Sequence, residues 1–177
     1  MLPSLEPVVA SNTKYPYSQL RKPDEVGIFT EIVPDIFLGD TKVAQNAKFY
    51  KEKGIKGVIN CTTDLPFHKF KMHQLRIAIE DTPNSIDEFG KCLELALKFM
   101  DVHKPVLVHC YAGMSRSPSI VAAYLIKYHC MSPKESTQLI LNKRPFAFMN
   151  GSTFYYASVL NKLHDEENII FKEDDVE

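Results

Sequence analysis

Apolar residues recur along the middle of the chain with two periods, and the switching between them predicts the fold. From Ile86 to Met100 the period is helical. Ile86, Phe89, Leu93, Leu97 and Met100 share one stripe, with Ala96 alongside and Cys92 near it. Ser85-Ile86-Asp87-Glu88 opens that stripe with the spacing of a capping box. Elsewhere the apolar runs are short and continuous, as in strands covered on both faces. Gly57-Val58-Ile59-Asn60-Cys61 and Pro105-Val106-Leu107-Val108-His109 are of this kind. Leu75 to Ile79 alternates and reads as another strand. Thr30–Val33 and Ile36–Leu38 read as two short strands broken by Pro34-Asp35. Further helices are expected over Thr41 to Lys53, stopped by Gly54, and onward from Ser117-Pro118. Two more follow: one from a second capping box, Ser132-Pro133-Lys134-Glu135, and one from about Ser152 to Leu163.

Strands and helices alternate first, and then only helices follow. That order predicts an α/β domain with a small central, mostly parallel sheet flanked by helices. Residues 1–28 contain Pro3, Pro7, Pro16 and Pro23 without periodicity. They are expected to form an irregular N-terminal arm, touching the domain through Tyr15 and Tyr17. Residues 29–164 then form the folded domain and residues 165–177 an acidic C-terminal tail.

Charge adds one point. The net charge of −1 hides seven acids and one lysine between Asp165 and Glu177, a local −6 that leaves the preceding chain at +5. A mildly basic body suits an anionic substrate, although a solvated acidic tail on an ordinary domain gives the same arithmetic. No apolar run has the length of a membrane span, and no signal-peptide or lipidation pattern is evident, so no membrane anchor is expected. Cys61, Cys92, Cys110 and Cys130 lack the tight spacing of a disulfide framework. Reduced thiols of the cytoplasm or nucleus are expected. No zinc-ligand spacing is present, and neither a metal, another cofactor nor a nucleic-acid partner is expected.

The chemistry concentrates after the run that ends at His109. His109-Cys110-Tyr111-Ala112-Gly113-Met114-Ser115-Arg116-Ser117 puts one cysteine in a loop of small residues between a strand and a helix. Backbone N–H groups of such a loop can form an anion nest, to which the following helix adds its positive end. Gly113 permits a tight turn, and Arg116 can pair bidentately with phosphate oxygens. The same dipoles act on sulfur. A free thiol is only about 3% ionised at pH 7, and a fall of about three pKa units would make it almost wholly thiolate. One loop can therefore activate a nucleophile and hold its target.

Residues 109–117 carry the full signature of a known family. They resemble the dual-specificity phosphatases within the protein tyrosine phosphatase superfamily, in particular its small, atypical members. The resemblance extends over residues 29–164, through Ile36-Phe37-Leu38-Gly39-Asp40, Gly54 to Cys61, Ala123-Tyr124-Leu125, Lys143-Arg144-Pro145 and Asn150. It implies a protein tyrosine phosphatase-like fold and hydrolysis of phosphotyrosine and phosphoserine or phosphothreonine in a phosphoprotein substrate. It implies that Cys110 attacks phosphorus to form a phosphocysteine, while Arg116 and the N–H groups of residues 111–116 hold the phosphoryl oxygens. By the same resemblance His109 and Asn150 support the loop, and Ser117 bonds the sulfur.

The resemblance also implies a general acid on a loop about thirty residues before the cysteine. Asp81, 29 positions before Cys110, fits; Glu80 is the runner-up, and Asp87 reads as a first-turn helix acid. Cys61 is a possible redox partner of Cys110, as in some superfamily members, or a buried strand cysteine. The basic stretch from Phe67 to Arg76, with Lys69 and Lys71, reads either as a rim that attracts acidic phosphopeptides or as an exposed hairpin or loop. Gly151 to Tyr156 departs from the family's pattern, so no role is carried beyond Asn150. Alternatives are a phosphoinositide phosphatase, a phosphopeptide-binding module without turnover, and a sulfurtransferase. The absence of lysine at positions 111, 112, 114 and 115 speaks against the first, and Cys110, Arg116 and Asp81 together speak against the others. Oligomeric state is left open.

Overall fold

The computed structural model describes residues 29–148 and 153–174. Five strands form one sheet: β1 (Phe29–Val33), β2 (Ile36–Gly39), β3 (Gly57–Asn60), β4 (His73–Arg76) and β5 (Val106–His109). Their order is β1-β2-β5-β3-β4. β1 and β2 are an antiparallel hairpin turning at Pro34-Asp35, where Asp35 takes φ 68°. The other pairings are parallel.

Every residue of β2, β3 and β5 is buried, because both faces of the sheet are covered. Side chains alternate between two cores. Ile36, Leu38, Ile59, Val106 and Val108 face α3 (Ile86–Val102), α4 (Arg116–His129), α5 (Pro133–Lys143) and α6 (Thr153–Asp174). Phe37, Val58 and Leu107 face the other way, toward α1 (Thr41–Ala44) and α2 (Ala47–Lys53), where they meet Val43, Phe49 and Tyr50. The α3 stripe is buried as its periodicity predicts. α4 is buried from Arg116 to Ile126, so the helix that follows the cysteine loop is the central helix of the fold.

Several local expectations change. Thr41 to Lys53 is two helices, because Asp40 and Asn46 each cap one: Asp40 Oδ1 accepts from the N–H groups of Lys42 and Val43, and Asn46 Oδ1 from that of Phe49. The second ends, as expected, at Gly54 with φ 61°. Ser132 and Glu135 form the expected capping box, but Ser85 and Glu88 do not. The Ser85 hydroxyl instead bonds Thr82 O and Tyr156 Oη, both at 2.8 Å. The strand expected over Leu75–Ile79 is shifted toward the N-terminus, to His73–Arg76. α6 does not stop near Leu163. It runs on to Asp174, with Lys162–Glu166 and Lys127–Glu167 ion pairs, so most of the expected acidic tail is helical. The arm over residues 1–28 lies outside the described residues.

Sheet register places the site. His109 aligns with Gly39 on one side and Asn60 on the other. The loop leaving β5 therefore emerges between the ends of β2 and β3, at the carboxyl edge where parallel sheets present ligands. Among the described residues no helix is long and apolar enough to cross a membrane.

Candidate active site

The loop after β5 is held from outside by its carbonyls. Cys110 O lies 3.3 Å from His109 Nδ1, and Tyr111 O accepts from Thr41 N–H at 3.1 Å. Ala112 O and Gly113 O accept from the Arg144 guanidinium at 3.2 and 2.8 Å, and Met114 O accepts from Phe148 N–H at 2.6 Å. Five consecutive carbonyls thus find partners. In a trans peptide the next residue's N–H points opposite to the carbonyl. The N–H groups of residues 111–115 are consequently turned away from those partners, toward the inside of the loop. Gly113 is required for this course. Its φ is 65°, and a Cβ there would stand 2.7 Å from Gly39 O and run into Arg144.

Cys110 sits in this cup, 3% exposed and unpaired with any other cysteine. Burial raises its thiol pKa, but the Ser117 hydroxyl and N–H, the Arg116 charge and the Ser115 N–H outweigh it, and the net shift is downward. The Ser117 hydroxyl stands 3.2 Å from the sulfur. His109 beneath the loop is 1% exposed, and burial lowers it to about 4. It is neutral near pH 7. Since a carbonyl can only accept, its Nδ1 carries the proton that it donates to Cys110 O.

Arg116 is 7% exposed and divided in its bonding. Nη1 donates to Cys61 O at 3.2 Å and Ile79 O at 3.0 Å. Nε is buried and has no partner, the one such side-chain N or O among the described residues. An unsatisfied buried cationic donor is costly, and an anion in the cup would satisfy it.

Asp81 reaches the loop. Its Oδ1 accepts from the Ser115 hydroxyl at 2.6 Å, across 34 positions of sequence. Glu80 and Asp87 are exposed, and among the described residues neither carboxylate hydrogen-bonds the loop. Tyr111 stands at the rim, 43% exposed, with its hydroxyl on Asp64 and its ring 5.4 Å from the Arg116 guanidinium. Cys61 is fully buried at the end of β3, where burial, then the neighbouring Cys110, push its thiol up. Asn150 lies outside the described residues.

In the basic stretch from Phe67 to Arg76, Lys69 and Lys71 are exposed on the loop that leads into β4, as the second reading has it, whereas Arg76, paired with Asn60, lies at the carboxyl edge. β4 starts with His73 paired to Gly57, the first residue of β3, so Lys71 lies toward the amino edge of the sheet. Phe67, Phe70 and Met72 pack on the second core. Arg76 turns inward, donating to Thr62 O and Leu65 O. Two supports of the site escaped sequence reasoning. Arg144 is wholly buried behind the loop and also donates to Thr30 Oγ1. Tyr156 is wholly buried beside the Asp81 segment. The motif Lys143-Arg144-Pro145 marked the first without its role. For the second no local signal exists. Among the described residues no group of three His, Cys, Asp or Glu is placed to hold a metal ion.

Known proteins share this fold. The family model for the dual specificity phosphatase catalytic domain matches residues 36–160. Mouse dual specificity protein phosphatase 14 is 30% identical over 124 residues, which cover 68% of this chain and 63% of that protein's length. Human phosphatidylglycerophosphatase and protein-tyrosine phosphatase 1 is 29% identical over 151 residues, 78% of this chain and 74% of that protein. The crystal structure of a leucine rich repeat and phosphatase domain containing protein from Entamoeba histolytica superimposes with a TM-score of 0.66 at 20% identity. That match covers 78% of this chain and 94% of the other, and shows the same fold. With the signature loop at the carboxyl edge of the sheet and the family model spanning both, this chain belongs to the dual specificity phosphatase catalytic-domain family.

Proposed function

We propose that this protein is a cysteine-dependent phosphatase of phosphoproteins, acting on phosphotyrosine and on phosphoserine or phosphothreonine. One observation carries the reading: inward N–H groups and the unpaired Arg116 Nε surround a cysteine sulfur whose pKa is lowered. That is a dianion site with a nucleophile at its floor.

In the first step the Cys110 thiolate attacks phosphorus as the phosphorus–oxygen bond to the leaving group breaks. The loop N–H groups and Arg116 hold the three equatorial oxygens, whose charge redistributes in the transition state. Asp81, protonated, gives its proton to the departing oxygen. In the second step water attacks the phosphocysteine, Asp81 takes a proton from it, and sulfur leaves as thiolate. The Ser117 hydroxyl, 3.2 Å from that sulfur, stabilises the leaving anion. Asp81 is preferred to Glu80 because its carboxylate is the one bonded to the loop, through Ser115. Four unpaired cysteines suit a reducing compartment, cytoplasm or nucleus.

The test is a quench experiment with a labelled phosphotyrosine peptide. Wild-type protein should release phosphate and, on acid quench, retain label on a Cys110 peptide. Cys110→Ser should abolish release while still binding the peptide. Release that persists in Cys110→Ser would sink the mechanism. The human relative's name couples a lipid phosphatase to a protein one, so phosphatidylglycerophosphate belongs in the same assay. A kcat/KM for that lipid above that for every phosphopeptide would replace the protein substrate by a lipid one.

A further inference from the structure

The segment that carries Asp81 is tied at both ends. On the side of the cup, Arg116 Nη1 holds Ile79 O and the Ser115 hydroxyl holds the Asp81 carboxylate. On the far side the segment meets α6. Tyr156 Oη stands 2.8 Å from Ser85 Oγ and 3.4 Å from Glu80 O, and Ser85 Oγ is 2.8 Å from Thr82 O. The distances favour one direction along this chain, since Tyr156 Oη is nearer to Ser85 than to Glu80 O. Thr82 O can only accept, so Ser85 donates to it, and Tyr156 donates to Ser85 with Glu80 O as a second, longer acceptor. The residues on each side of Asp81 are thus held, directly or through Ser85, by one hydroxyl on a helix 71 positions beyond Ser85 in sequence.

Tyr156 is itself packed on all sides. It is 0% exposed, its ring lies 4.2 Å from that of Phe89 between centroids, and it belongs to the main core. Burial raises its phenol pKa, so it remains a neutral donor. Nothing about core packing requires the hydroxyl. A phenylalanine would fill the same space against Phe89, and would leave Ser85 without its donor.

We propose that Tyr156 is a positioning residue for the general acid: through Ser85 and Glu80 O it sets where Asp81 stands relative to the phosphoryl leaving group. This rests on Asp81 being the acid. Holding a segment on both sides of one carboxylate matters because proton transfer needs the donor within hydrogen-bond reach of the departing oxygen. A displacement of about 1 Å from a remote change can cost orders of magnitude in rate. Tyr156 touches neither phosphate nor cysteine. It acts only through the acid, so its effect should exist only while the acid is present.

The test is a double-mutant cycle read on two substrates. Tyr156→Phe, Asp81→Asn and the double variant are compared on an alkyl phosphate, whose leaving group needs a proton, and on an aryl phosphate with a good leaving group. Tyr156→Phe should lower kcat on the alkyl phosphate about tenfold, leave KM within about twofold, and affect the aryl phosphate less. In the Asp81→Asn background the same change should alter kcat by less than about twofold. Ser85→Ala, which breaks the same chain without touching α6, should repeat this pattern. An equal loss from Tyr156→Phe with and without Asp81 would overturn the proposal, as would no loss at all. If Asp81→Asn itself leaves alkyl phosphate turnover intact, the acid assignment falls and this inference with it. If the wild-type protein turns over neither phosphate, the phosphatase reading falls first.

Discussion

Two arginines stand on opposite sides of the same loop, and they are bonded differently. Behind the loop, Arg144 donates to Gly113 O, Ala112 O and Thr30 Oγ1, and its guanidinium lies 4.3 Å from the centre of the Phe146 ring. In front, Arg116 uses one nitrogen on Cys61 O and Ile79 O and leaves Nε buried without a partner. Both side chains are nearly or wholly inaccessible, so both pay the same kind of desolvation. The difference teaches what each is for. Arg144 pulls carbonyls outward and so turns the N–H groups inward, whereas Arg116 keeps a donor for an anion that the loop is shaped to receive.

The largest effect should come from making both residues lysine. Arg116→Lys keeps a charge but loses the planar fork, and should cut kcat/KM on an aryl phosphate about 10³-fold while costing about 1 kcal/mol of stability in urea unfolding. Arg144→Lys leaves buried carbonyls without donors, and should cost about 3 kcal/mol with a smaller loss of turnover once the variant is folded. If the two variants lose activity and stability in the same proportion, the division of labour is wrong.

His109 sharpens the same comparison from below the loop. Its folded pKa of about 4 is depressed by burial, so the unfolded chain binds its proton at higher pH than the folded chain does. This contribution to stability is complete above about pH 6.5 and is lost as pH falls toward 4. Between pH 6.5 and 5 the loss amounts to about 1.6 kcal/mol, the slope reaching about 1.36 kcal/mol per pH unit only once the unfolded imidazole is fully protonated. Urea midpoints of His109→Asn should fall less over that interval than those of the wild type. Parallel curves would show that the imidazole does not titrate as its burial requires.

The smallest effect concerns the sulfur. Ser117→Ala removes a hydroxyl that lowers the Cys110 pKa, so the thiolate should be lost at a higher pH than in the wild type as pH falls. Iodoacetamide should alkylate Cys110 several-fold more slowly at pH 6 in this variant, with the two rates converging at alkaline pH. A rate unchanged at pH 6 would leave Arg116 and the backbone as the whole source of the shift.

How legible the site was depended on sequence distance. Cys110, Ser117 and Arg116 fall within seven positions on one strand–loop–helix unit, and their spacing alone expresses the chemistry. The α3 stripe and the Ser132 box were legible for the same reason, since their contacts lie within a turn or two. Ser85 misled because its hydroxyl has a choice. The capping box competes with Tyr156, and a partner supplied by α6 wins. The two readings of Lys69 and Lys71 could not be separated locally, because charge says nothing about which edge of a sheet a connection follows, and parallel pairing of β3 and β4 puts the start of β4 at the far edge.

The sequence by itself determined the α/β class, and it singled out Cys110 as the candidate nucleophile, Arg116 as the candidate phosphate ligand and two candidate acids. Those properties are set by residue type, short spacing and hydrophobic period. Only the tertiary structure decided which acid meets the loop, that Arg144 holds the loop's back, and that Tyr156 ties the acid segment. Those contacts join residues 34, 31 and 71 positions apart. They exist because the parallel sheet brings the ends of separate strands to one edge and α4 packs α6 behind it. Contacts of that range depend on how the whole core closes, which no local pattern encodes.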